Sequence, residues 1–181
     1  GKVQEIVVTA QKIKQLASKT PVALTVVGGE EINFVGLASL VAHRRGADVT
    51  ASDCHPQAQA FLAANLRLNQ LLPMKYRRGN WGAGAAIDSA ELRVSGRFDL
   101  IMASDVLYER DPDGDLAGYI AQHAAPVAEV WIVDPDRGNH ARFNRHMRGH
   151  GFEVHERRLD HAASEALAAY KGRMWSFVRS V

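Results

Sequence analysis

The stretch Arg97-Phe98-Asp99-Leu100-Ile101-Met102-Ala103-Ser104-Asp105-Val106-Leu107-Tyr108-Glu109 constrains the fold of this chain more than any other. Its first half is a near-continuous apolar run, the pattern of a strand buried on both faces of a parallel sheet. The run stops at Asp105, a charge where a buried strand should end. In open α/β sheets ligands sit beyond the carboxyl ends of the strands, so Asp105 and Tyr108 fall where chemistry would be done. Position alone also suits a solvated carboxylate beside a packed tyrosine.

The flanking sequence alternates in the same manner. Val35 to Ala42 reads as a helix closed by Gly46, Asp48 to Asp53 as a strand, and Pro56 to Asn69 as a helix with proline in its first turn. Met74 to Arg78 is a short strand before Gly79-Asn80-Trp81-Gly82. Phe98 to Ser104, Glu129 to Asp134, Phe152 to Leu159 and Arg173 to Val178 are further strands, with helices over Leu116 to Ala125 and Ala141 to Gly149. Ser164 to Tyr170 suits a helical turn or a loop. Strands alternating with helices specify βαβ units, hence an α/β fold with a mostly parallel sheet. The last two strands are expected as an antiparallel hairpin at one edge.

With 181 residues, 46% hydrophobic and 23% charged, the chain suits one globular domain. A formal net charge of +2 gives no argument for a nucleic-acid partner, and the arginines between Arg142 and Arg148 read as a solvated face. Cys54 is the single cysteine, so no internal disulfide forms and a reducing, cytoplasmic setting is expected. No apolar stretch is long enough to span a membrane, and residues 1–20 lack the apolar core of a secretion signal. The eight histidines show no metal-ligand spacing, so no metal is expected.

Three predicted strands end in carboxylates: Asp53, Asp105 and Asp134. A carboxylate closing the second strand of such a sheet can accept both hydroxyls of a ribose. Asp53 suits that role, and it also suits the N-cap of the following helix. Asp134-Pro135-Asp136-Arg137 reads as a salt-bridged turn in preference to part of a substrate rim. Cys54 and Gly82-Ala83-Gly84 are read as a buried filler and a flexible loop, and Trp131 and Trp175 as core.

From Gly36 to Val181 the chain resembles the class I S-adenosylmethionine-dependent methyltransferases, closest to the methyltransferase-like protein-lysine and nicotinamide N-methyltransferase-like members. The residues that carry this are Gly36 to Ala42, Val49 to Asp53, Leu62-Ala63-Ala64-Asn65, Asn80-Trp81, Phe98 to Glu109 and Asp134 to Arg137. The resemblance implies a Rossmann-like fold and S-adenosylmethionine as cofactor. Gly36, Asp53, Asn80, Trp81 and Ala103 would line the cofactor, while Asp105 and Tyr108 would face the acceptor, a protein lysine or a small amine.

Residues 1–33 stand apart. Glu5 to Ala10 and Pro21 to Val27 read as short strands, the second ended by Gly28-Gly29. Glu5 to Lys12 and Pro21 to Ile32 are similar to the start of the plug domain of TonB-dependent receptors, which would make Glu5 to Ala10 a TonB-box-type segment. A foreign N-terminus joined near residue 33 and a chance likeness both account for this. The first-motif turn of the methyltransferases, Gly-x-Gly-x-Gly, aligns with Glu30 to Gly36, where only Gly36 matches and Ile32 and Phe34 bring side chains. Val22 to Val27 is the candidate replacement for the first strand. A cofactor-defective, methyltransferase-like binding domain is the alternative that this turn favours.

Overall fold

The structure is a computed structural model that describes residues 6–10, 37–53, 56–79, 81, 93–107, 111–160, 162–163 and 169–180. In chain order the elements are β1 (Ile6–Ala10), α1 (Leu37–Arg44), β2 (Val49–Asp53), α2 (Ala58–Leu68), β3 (Lys75–Arg78) and β4 (Phe98–Ser104). They continue with α3 (Asp115–His123), β5 (Ala124–Asp134), α4 (His140–Gly149), β6 (Glu153–Arg158) and β7 (Arg173–Arg179). The strands form one seven-stranded sheet in the order β3-β2-β1-β4-β5-β7-β6. β1 to β5 pair parallel, and β7 runs antiparallel between β5 and the edge strand β6. The expected hairpin is therefore present, with the later strand on its inner side.

Among the described residues, the first strand of the sheet is β1. Ile6–Ala10 takes the central position, pairing Val8 with Ala51 of β2 on one side and with Met102 of β4 on the other. The N-terminal strand thus shares one sheet with the strands that follow residue 36. Residues 11–36 join β1 to α1. Val22 to Val27, Gly28-Gly29, Ile32, Phe34 and Gly36 lie outside the described residues.

Helix α1 ends as its sequence dictates. Gly46, at φ 82°, donates to the His43 carbonyl while Ala47 N–H reaches back to Ala42. Glycine adopts that left-handed turn without the Cβ clash. Asp53 does not cap α2. The cap position is Gln57, one residue beyond Pro56, and no side-chain cap bond is made there. α3 is closed instead by Asp111, whose carboxylate accepts the N–H groups of Leu116 (3.1 Å) and Ala117 (3.3 Å).

The two faces of the sheet carry unequal cores. Phe98, Ile101, Val130, Ile132, Trp175 and Phe177 pack beneath Leu116, Ile120, Phe143 and Met147 of α3 and α4. On the other face Leu40, Ala51, Leu62 and Leu66 form one small cluster, and Ala42 with Val49 another. Phe98 and Ile101 are three apart yet share a face, because the β4–β5 register slips between Phe98 and Leu100. β5 also starts earlier than expected. Ala124 to Ala128 carry a proline and no alternation, so only their pairing reveals them as strand.

Candidate functional site

Five parallel strands aim their carboxyl ends at one edge of the sheet, and the order reverses between β1 and β4, the place where open α/β sheets bind ligands. The end of β6 and the start of β7 lie at the same rim, since Arg158 and Asp134 both pair with Arg173. All three strand-end carboxylates are buried: Asp53 is 4% exposed, Asp105 3% and Asp134 1%. Asp53 and Asp105 lie two inter-strand steps apart, roughly 10 Å at the usual strand spacing.

On the β2–β3 side the rim is closed by backbone. The Asp53 carbonyl accepts from the Tyr76 hydroxyl (3.1 Å) and from Gly79 N–H (3.4 Å). A Cβ on Gly79 would run into Ser52 Oγ and come within 2.8 Å of Tyr119 Oη, so glycine is required for this approach. Trp81 is half-buried against the core, 6.1 Å from the Tyr119 ring. Burial pushes the Tyr119 hydroxyl up to about 12, with Ser52 opposing.

On the β4–β5–β7 side the rim is closed by charge. Arg137 donates from Nε to Asp105 Oδ1 (2.8 Å) and from Nη2 to Oδ2 (3.0 Å), a bidentate fork. Asp134 Oδ1 accepts the backbone N–H of Arg137 (2.8 Å). One residue earlier, Asp136 is held by Arg173 Nε (2.7 Å), whose Nη1 also meets Glu156. Asp105 (φ 55°) and Asp136 (φ 61°) both occupy the left-handed region. Such strain costs on the order of 1–3 kcal/mol and persists where surrounding bonds over-determine the residue. The Asp105 N–H bond to the Val133 carbonyl (2.8 Å) and the Arg137 fork do so here.

Burial holds the Asp134 carboxyl above its ordinary range, the Arg137 N–H bond opposes this, and the charge of Asp105 adds to it. The Tyr170 hydroxyl is raised by burial and then by the charges of Asp134 and Asp105, which brings it into the same neighbourhood. The Asp-Pro-Asp-Arg segment is therefore both salt-bridged turn and rim of the site.

Of the residues expected from sequence, Asp53, Trp81, Ala103 and Asp105 lie along this rim or beneath it. Gly36, Asn80, Tyr108, Cys54 and Gly82-Ala83-Gly84 lie outside the described residues. Gly79 and Tyr170 carried no site role in the sequence, and Asp134 and Arg137 were expected only as a strand end and a salt-bridged turn. A glycine directly after a strand signals the first, but nothing local shows that Arg137 reaches a residue 32 positions away. Trp175 is core as expected, whereas Trp131 is half-buried with its indole N–H on Glu129 (2.5 Å). His123 is buried as well, bonded to the Gly96 carbonyl at 3.2 Å.

This strand order, with its antiparallel seventh strand, is the class I methyltransferase fold. No protein-family model matches the sequence, and no curated protein does. Solved structures match throughout. A methyltransferase from Pyrococcus furiosus superposes with a TM-score of 0.63 at 14% identity, covering 100% of this chain and 77% of its own. Magnesium protoporphyrin IX methyltransferase from Synechocystis PCC 6803, solved with bound SAM, gives 0.60 at 14%, covering 99% and 71%. A precorrin 8W decarboxylase from Methanobacterium thermoautotrophicum gives 0.62 at 15%, covering 99% and 83%. At these identities the shared property is the fold, and a decarboxylase among the three shows that the fold does not fix the reaction.

Proposed function

We propose that this chain is a cytoplasmic, S-adenosylmethionine-dependent N-methyltransferase acting on a protein lysine or a small amine. Asp53 carries the reading: a carboxylate buried at the end of β2, next to the switch point and not used as a helix cap. The other residues in place suit that cofactor. Ala103 is small and buried two positions before Asp105, and Trp81 follows β3 on the side where an adenine would stack. When bound, S-adenosylmethionine supplies an electrophilic methyl group.

The chain's own task is alignment and proton removal. An ammonium has no lone pair, so it must lose a proton before it can attack. Asp105, rigid in its left-handed turn, would hold the amine at the end of β4, with Tyr108 assigned to the same role by resemblance. Placement of donor and acceptor in line accounts for much of the catalysis expected of such a site. No helix among the described residues is long and apolar enough to cross a membrane.

One sequence observation favours a second reading. β1 ends at Ala10, and Gln11-Lys12-Ile13 follow where a glycine-rich turn would bring backbone to the cofactor. A methyltransferase fold that binds a partner without its cofactor fits that substitution. Calorimetric titration with S-adenosylmethionine and S-adenosylhomocysteine decides between them. Binding that weakens at least about tenfold in Asp53→Ala supports the enzyme. No heat of binding from folded wild-type protein leaves the second reading.

A further inference from the structure

The Asp105–Asp134 pair holds two nearly fully buried carboxylates against Arg137. Arg137 satisfies both oxygens of Asp105 but gives Asp134 only a backbone N–H, joined there by the Asp136 backbone N–H, and Asp134 Oδ2 is buried with no side-chain donor upon it among the described residues. The Arg137 side chain is 41% exposed, so the cation paired with Asp105 among the described residues also faces solvent. The nearby Arg173 is engaged by Asp136 and Glu156.

We propose that Asp105 and Asp134 form a receptor for an alkylammonium group, and that Arg137 occupies it as an internal stand-in that the acceptor's ammonium displaces. This deepens the N-methyltransferase reading and rests on it for the identity of the acceptor. The exchange is balanced in charge, because one monovalent cation leaves the pair as another enters. It also improves hydrogen bonding: an ammonium has three donors that can spread over two carboxylates, whereas the planar fork of Arg137 is spent on Asp105. The arginine swings into water, where a guanidinium needs no partner. Being tethered, it competes at a high effective concentration, so free amines bind the resting chain weakly.

The test titrates n-butylammonium, with n-butanol as control, into the full chain without cofactor, following the aspartate carboxyl carbons and the Arg137 Nε–H signal by NMR. The expected result is a saturable shift of the Asp105 and Asp134 carboxyls, release of the Arg137 Nε–H signal in wild type, and at least about tenfold tighter binding in Arg137→Ala. Arg137→Gln, which keeps a donor and loses the charge, repeats the comparison if the alanine variant unfolds. Equal or weaker binding in a folded Arg137 variant overturns the proposal, as do shifts confined to other carboxylates or none at all. S-adenosylmethionine binding, measured separately by calorimetry, keeps the two readings apart. Its presence without amine binding points to another acceptor class. Its absence with amine binding leaves the receptor standing and removes the enzyme.

Discussion

The two halves of the rim are held by different means. Across β4, β5 and β7 the ends are stapled by Asp105–Arg137 and Asp136–Arg173, over the larger of the cores. Across β2 and β3 they are closed by backbone bonds and the tight fit at Gly79, where Tyr119 reaches over from the larger core. Charge pairs between loops fix side-chain positions, which an acceptor site needs. Backbone closure fixes the strand ends themselves, with Tyr76 and Tyr119 crowded against them. The contrast makes different substitutions harmful on each side.

The largest effect is expected beneath the stapled half. Phe177 is fully buried and meets Phe143 edge-on with centroids 5.4 Å apart. Phe177→Ala should cost about 3–5 kcal/mol, as measured by urea denaturation. Leu62→Ala in the smaller cluster should cost about 2–4 kcal/mol. An equal or larger loss at Leu62 would remove the asymmetry between the halves.

Next comes the staple itself. Arg137→Ala strips two charge-assisted bonds from a buried carboxylate, but its guanidinium is partly in water, which tempers the loss to about 1–3 kcal/mol. On the other half, Gly79→Ala should cost a similar amount, about 1–3 kcal/mol, through overpacking. The two are told apart by coupling. Ser52→Ala removes the Oγ that the new Cβ would strike, so the double variant should lose less than the sum of the singles. Additivity at Gly79 and Ser52 would mean that the two do not meet.

The halves should also respond to opposite ends of the pH scale. Asp134 binds its proton more tightly folded than unfolded, so its contribution to stability is present below its ordinary pKa of 3.8 and is lost as pH rises through the higher folded value. At pH 7 its ionised form is a net cost. Asp134→Asn, which keeps an acceptor for the Arg137 N–H, should then raise the melting temperature at pH 7 and lose that advantage in acid. Tyr119 behaves likewise at high pH: its contribution is intact below 10 and lost by about 12, a limb that Tyr119→Phe should abolish.

These features were unequally visible in the sequence. β2, β4, β7 and the inner half of β5 announce themselves because apolar runs end in charge or turn residues. The rim carboxylates follow from those ends. β1 reads as a short strand in the sequence, but nothing local shows that it fills the centre of the sheet, with residues 11–36 between it and α1. The staples were equally hidden, because each Asp and its Arg are 32 and 37 residues apart and meet only once the strand order is set. The Asp134–Asp105 proximity has the same origin.

The smallest effect lies on the β2–β3 side, at the end of α2. Gln70 sits at φ 54° where α1 and α4 place Gly46 and Gly151. Its backbone makes the same closing bonds, Gln70 N–H to Arg67 O (3.1 Å) and Leu71 N–H to Leu66 O (2.9 Å). The motif is thus complete with a residue whose Cβ opposes it. Gln70→Gly removes that opposition but adds freedom to the unfolded chain, and in the left-handed region the first effect dominates. A gain of about 0.5–1 kcal/mol in urea denaturation is expected. A loss would show that the Gln70 side chain, exposed as it is, contributes more to the α2–β3 connection than its backbone strain costs.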